Sequence, residues 1–259
     1  MALSYPVSNN IVVGSGRILW ATETSATAEG TSFIYLGDTP GFSISANTTQ
    51  VTVKSSDAPV AETLVRLTTD VERTGNLLVR NISMTNLALF NMGTSASVSQ
   101  SATGATQTLS GVVRGRYYKI GTKDVRGMTI TATGVKHNTS SGAAYTVSTD
   151  YETDLNNGWI YFPTGGTATG NVYIAYTKTA TSRTRVQTAN TGAAIGTLIF
   201  ISDNTAGDEV ELRISRCELA PSGDAAWKSR ENPMELPFVL NVLTRSSSTP
   251  QIEINGIPA

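Results

Sequence analysis

The chain has 259 residues, a formal net charge of −1 and 15% charged side chains, well below the ~25% usual in soluble domains. Such a balance offers no surplus of clustered Lys and Arg with which to grip DNA phosphates. The single cysteine, Cys217, excludes an intramolecular disulfide and with it a stapled secreted scaffold.

The length suits one large β domain or two smaller ones, and a chain of this size hides roughly 70–75% of its unfolded surface. Ser, Thr, Asn and Gly stand where charges would be, and hydroxyls and amides are cheaper to desolvate than Lys or Glu. That surface is suited to being covered by neighbours. The N-terminus, MALSYPVSNN, has neither a basic start nor an apolar stretch, so no signal peptide is expected. No run approaches the ~18 apolar residues of a membrane span. A reducing cytosol is the expected site of synthesis, and the Asn-x-Ser/Thr triplets at Asn47, Asn81 and Asn138 carry no glycans there.

In chain order, Gly14-Ser15-Gly16 leads into an entry strand, RILWATE, and Gly37-Asp38-Thr39-Pro40 marks a turn. From Leu64 to Glu72, Val65, Leu67 and Val71 share one parity, while Arg66, Thr68, Asp70 and Glu72 share the other. This period of two predicts a strand with one dry and one wet face, the dry side going to the core. A short helix follows: Ser83 is its N-cap, Met84, Leu87 and Phe90 its apolar stripe, and Gly93 its end. So short a helix must lie against a sheet.

Thr94 to Ser110 (TSASVSQSATGATQTLS) is poor in apolar residues and reads as a linker. Gly111 to Ala180 then shows its own strand rhythm (RYYKI, MTITATGV, AYTVSTDYETD, WIYFP, NVYIAYT), which predicts an inserted β subdomain. Ile195 to Ile201 is apolar on both parities and should be covered on both faces. The Asp203–Gly207 turn joins it to Glu209–Leu219, in which Val210, Leu212 and Ile214 alternate with Glu209, Glu211, Arg213 and Ser215. Phe238, Leu240 and Val242 give the dry parity of a late strand. The expected fold is therefore all-β with one short helix.

Chemistry is harder to find. Gly14-Ser15-Gly16 lacks the third glycine of a dinucleotide loop, Leu19 standing there, and a strand follows rather than a helix. His137, the only histidine, has no nucleophile elbow nearby and reads as a surface residue. Asp150, Glu152 and Asp154 have calcium-ligand spacing. The glycine an EF-hand needs next is Leu155, and Tyr161 occupies the twelfth position, so solvated acids at a strand edge fit better. Cys217 shares the wetter parity of Glu209 to Ser215 and reads as a packed or interface thiol. The basic run Arg114, Arg116, Lys119, Lys123 and Arg126, with Tyr117 and Tyr118, reads as a solvated or partner-facing edge rather than a nucleic-acid patch. No catalytic, metal or cofactor set is expected, and none of these residues marks an enzyme.

The order VGSGRILWATE, TSFIYLGDTPGFSIS, SSDAPVAETLVRLTTDVERTGNLLVRNISMTNLALFNMG resembles the N-terminal half of the tail tube proteins of long-tailed, non-contractile bacteriophages. Gly192 to Leu243 fits the rest of that pattern more loosely. The resemblance implies a tube-type β-sandwich or barrel subunit whose strands join a ring-shaped inner barrel. It implies hexameric rings stacked into a tube in the virion, assembled in the host cytoplasm, through which double-stranded DNA leaves. Partners would be the protein itself and the tape measure, tail terminator and distal tail proteins, with no membrane and no specific DNA binding.

The resemblance also implies a body formed by residues 1–110 and 181–259, with 111–180 as an insertion on the exterior. The family's inter-ring loop corresponds to Val53–Thr63. There Pro59 and small residues limit the entropy lost on ordering, and Lys54, Ser55, Ser56, Asp57 and Glu62 could set register. A lumen must let DNA slide, so a polar wall with acids is expected, with Arg66, Thr68, Asp70, Glu72, Glu209 and Glu211 as candidates. The alternatives are an immunoglobulin-like phage decoration or adhesin module, and another tube-fold component such as a distal tail or contractile-tail tube protein.

Overall fold

A computed structural model describes residues 12–57, 59–189 and 192–256. The protein is all-β with one short helix. It divides into two compact units: residues 1–95 with 186–259, and residues 96–185. The second unit thus begins at Ala96, inside the segment expected to be a linker.

The first unit opens with β1 (Gly16–Thr22), β2 (Ile34–Tyr35), β3 (Gly41–Lys54), β4 (Thr63–Val79) and α1 (Met84–Phe90). β5 (Gly93–Gln100) carries the chain into the second unit. That unit holds β6 (Thr103–Val112), β7 (Arg116–Lys119), β8 (Met128–Thr129), β9 (Val135–His137), β10 (Glu152–Asp154), β11 (Trp159–Phe162) and β12 (Gly170–Lys178). β13 (Thr181–Thr188), paired with β5, leads back, and β14 (Ala194–Ser202), β15 (Val210–Pro221), β16 (Leu236–Val242) and β17 (Ile252–Gly256) complete the first unit.

Eight strands of the first unit form one sheet, ordered β2-β1-β14-β15-β16-β4-β3, with β17 continuing beyond β16 along the same side of β15. Its core gathers Ile18, Trp20, Leu77, Leu198, Ile214, Leu219, Phe238 and Leu240, and the inner side of α1 adds Leu87. Phe42 of β3 meets Phe200 of β14 at 5.6 Å between ring centroids, so the sheet curls around its contents. Gly196 permits close approach where β14 pairs with the end of β1: a Cβ there would lie 2.2 Å from the Ala21 carbonyl oxygen.

β14 is buried on both parities as its sequence requires, Thr197 as completely as Leu198. The loop after β1 covers the second face, where the Gly30 amide donates to Thr197 Oγ1 at 3.3 Å. Nearby, Glu23 receives Arg216 through bonds of 2.8–3.2 Å, with Arg245 at 3.6 Å. No periodicity announces this triad, because its members come from three distant segments.

The helix begins at Ser83, whose Oγ accepts from the Asn86 amide at 3.1 Å. Its end differs from expectation. Asn91 is the C-cap and Met92, not Gly93, takes the left-handed conformation at φ 46°. Gly93 serves close strand approach instead, a Cβ there lying 2.2 Å from the Gln187 carbonyl oxygen. Met84 is exposed, whereas Asn86 is buried and donates to the Leu36 and Asn81 carbonyls at 2.9 and 2.7 Å. An amide that ties two loops to the helix outweighs another apolar contact here.

In the second unit, one sheet joins β6, β8 and β9 to β12, and another runs β10-β11-β7. They share a core that includes Ile120, Val135, Ile160, Phe162, Val172 and Ile174. The supposed linker is strand throughout most of its length. β6 pairs with β12 from Thr103 to Val112, and its Leu109 and Val112 enter the core. Threonine is stiff at χ1 and fits a pleated surface, so a Thr-rich run with few apolar residues still makes a strand when a central neighbour receives it.

Candidate assembly interface

β3 and β4 are 14 and 17 residues long, against a usual strand of about 5–6. β4 is held between β3 and β16 only from Thr74 to Val79. Beyond Thr74 the hairpin runs on as a two-stranded arm, with β3 the sheet's last strand. Eleven residues of β4 extend about 35 Å at the normal strand rise. Every described residue from Ser45 to Glu72 except Ser55 is exposed.

This corrects the expected burial of the dry parity. Val65, Leu67 and Val71 do not reach the core; they are 45%, 54% and 40% exposed, and Val51, Val53, Val60 and Leu64 are exposed with them. Period-two alternation reports that a face will be covered, not by what. Five of these side chains lie within strand pairs, where each Val or Leu gains about 1.5–3 kcal/mol when fully buried.

The faces themselves also differ from simple parity. A β-bulge at Thr69 shifts the register between Thr49↔Asp70 and Gln50↔Thr68. One extra residue turns the later side chains to the other side. Val51, Val53, Val65 and Leu67 therefore share a face with Asn47, Thr49, Asp70 and Glu72. The opposite face carries Thr48, Gln50, Thr52, Arg66, Thr68 and Val71. The set Arg66, Thr68, Asp70 and Glu72, expected on one wet face, is split between two.

The tip is shorter than the expected Val53–Thr63 loop, because Val53, Lys54 and Thr63 are strand residues. The Ser55 amide donates to the Glu62 carbonyl at 2.7 Å, and the Asp57 amide to Ser55 Oγ at 3.2 Å. Ser56, Asp57, Pro59 and Glu62 are exposed at this tip with Lys54 beside it; Ala58 lies outside the described residues.

Glu209 and Glu211 are elsewhere. Glu209 is exposed just before β15, and Glu211 pairs with Ile201 and Asn255, on the side of β15 away from Ile214. They do not join the hairpin acids. Cys217 is also corrected: the register slips between Gly196↔Cys217 and Leu198↔Ile214, and this bulge places the thiol in the core beside Leu219. Burial, with Glu23 adding a smaller push, raises its pKa to about 12.

The remaining sequence candidates have structural work. Gly16 lies where a Cβ would be 2.3 Å from the Ile201 carbonyl oxygen. His137 edges Tyr145 at 6.3 Å between centroids. Asp150 is buried and accepts from the Thr146 and Thr167 amides and from Thr167 Oγ1 at 2.8–2.9 Å. Those bonds, the Thr146 amide foremost, hold its pKa below the usual value. It fastens two loops, while Asp154 accepts from Asn157, and no metal-holding cluster occurs among the described residues. The basic run is largely spent on carbonyls: Arg114 on Gly166, Lys119 on Val125 and Asn157, and Arg126 on Lys123 and Val125.

The molecule is thus an all-β protein of two units whose most unusual feature is a long hairpin left uncovered among the described residues. It belongs to the family described as Protein of unknown function UCP028589, whose model matches residues 11–252. No curated protein matches the chain.

Proposed function

We propose that this protein is a structural subunit that assembles with copies of itself through the β3–β4 arm. The observation that carries this is the arm: two long strands whose outer edges and whose valine and leucine side chains on one face meet nothing else among the described residues. Open edges and exposed apolar strand faces are liabilities in a monomer. Lateral pairing of one arm with the next satisfies the edges, and covering the Val51–Val53–Val65–Leu67 face removes the apolar surface. Closure of that pairing into a ring leaves no edge.

Together with the resemblance noted above, the arm supports a ring-stacked tail tube of a long-tailed bacteriophage, carried in the virion and assembled in the host cytoplasm. The tip, with Lys54, Asp57 and Glu62, fits contact with the next ring. The polar face of Gln50, Thr52, Arg66 and Thr68 is the one left for the lumen, and this reading moves Asp70 and Glu72 off that wall. Its work is mechanical rather than enzymatic. Tape measure, terminator and distal tail proteins would cap and gauge the tube, with DNA passing through unbound.

Light scattering and negative-stain microscopy of the purified protein test the proposal. Wild type is expected as rings or tubes, and Val65→Ser/Leu67→Ser as a folded monomer by circular dichroism. Deleting Ser55 to Ala61 should leave rings that do not lengthen. A strictly monomeric wild type, or normal tubes from the double variant, would overturn it.

A further inference from the structure

The second unit carries a further exposed feature of its own. On the outer face of β10-β11-β7, two successive rungs line up: Glu152–Tyr161–Tyr117, and Asp154–Trp159–Lys119. The intervening residues Ile160, Tyr118 and Phe162 turn to the core or pack against it, so the six share one side. Hollows of about 150 and 310 Å³ adjoin there, and Tyr117, Asp154 and Trp159 border both. We propose that this face is a binding site for a neutral polysaccharide.

The aromatic residues form a prepared platform. Tyr117 is 69% exposed and Trp159 40%, a costly display of ring surface unless something flat covers it. The Tyr117 and Tyr161 rings stack at 4.5 Å with 30° between planes, so Tyr117 is held with its outer face open. The C–H face of a pyranose suits the negative face of such a ring. Its hydroxyls suit Glu152 and Asp154, because a carboxylate only accepts hydrogen bonds and its bonds are the stronger charge-assisted kind. The Glu152 carboxylate has no hydrogen-bond or ion-pair partner among the described residues and is free to accept.

Charge and geometry narrow the class. A methylammonium cage needs rings turned around one point, whereas here the tyrosines face each other and Lys119 Nζ already sits 5.6 Å from the Trp159 ring centre. Lys119 is in turn held by the Val125 and Asn157 carbonyls at 2.7 and 2.5 Å. With that cation engaged, the two acids dominate the open face and repel uronate or sialate.

The test uses the full chain carrying Trp227→Phe, which leaves Trp159 as the exposed indole. It is titrated by calorimetry and fluorescence with chitohexaose, cellohexaose, maltohexaose, oligogalacturonate and tetramethylammonium. At least one neutral hexasaccharide should bind with Kd of about 0.1–1 mM, and oligogalacturonate at least about tenfold more weakly. Tyr117→Ala and Glu152→Gln, both exposed and expected to fold, should each weaken binding about tenfold. The proposal fails if no neutral hexasaccharide binds up to about 10 mM. It also fails if both variants bind as wild type does, or if tetramethylammonium binds more tightly than every sugar.

Discussion

The base and the outer part of the β3–β4 hairpin are the same two strands under different circumstances. At the base, β4 runs between β3 and β16, and Leu77 and Val79 are 2% and 0% exposed. Further out the apolar side chains continue, but nothing among the described residues covers them, and Leu67 is 54% exposed. The second unit provides a contrast, since its sheets enclose their own apolar residues around one core. Alternating strands thus stand in two circumstances here, some enclosed in a core and some exposed. Hydrophobic patterning marks a face apolar, and whether the chain's own neighbours reach that face is decided by strand pairing.

The largest difference is expected between truncations at the two ends of the hairpin. Leu77→Ala at the base should cost about 2–5 kcal/mol, and Leu67→Ala on the arm should lie within about 0.5 kcal/mol. Urea melts of dilute, unassembled protein measure both. Equal losses would mean that the arm is covered within the monomer, erasing the distinction.

A smaller effect is expected in the self-covered second unit. Asp150→Asn removes a carboxylate that accepts three hydrogen bonds and should cost about 1–3 kcal/mol. Because the bonds lower the Asp150 pKa in the folded state, their stabilisation is present above the unfolded value of about 3.9. It is lost as the pH falls through the lower folded value. The protection factors of the β12 amides, taken against intrinsic rates at each pH, should therefore fall with acid in wild type and show a flatter acid dependence in the variant.

The gentlest test is chemical. Cys217 lies buried in the core of the first unit, and burial lifts its pKa to about 12. Iodoacetamide at pH 8 should leave it unlabelled in native protein and label it in urea, as mass spectrometry would show. Rapid native labelling would mean that the base of the sheet opens as readily as the arm.

Much of the fold was legible in the chain: the strand-rich pattern, the Ser83 cap, the doubly apolar β14 and the Asp203–Gly207 turn. These are local signals, set by side-chain period, capping chemistry and turn residues. The strand character of Thr94 to Ser110 was missed because Thr and Ser carry little hydropathy signal, while pairing with β12 supplies their order. The faces of β4 and β15 were missed for another reason. A bulge costs one residue and inverts every side chain after it, and the sequence around Thr69 and Ser215 carries no mark of the slip. Sequence alone determined most of the strands and turns, though not β5 and β6; tertiary pairing ordered those two and decided which way the strand side chains face. The alternating valines and leucines of the arm were visible from the start, but only the neighbouring strands, ending at Thr74, determined that they would stand uncovered.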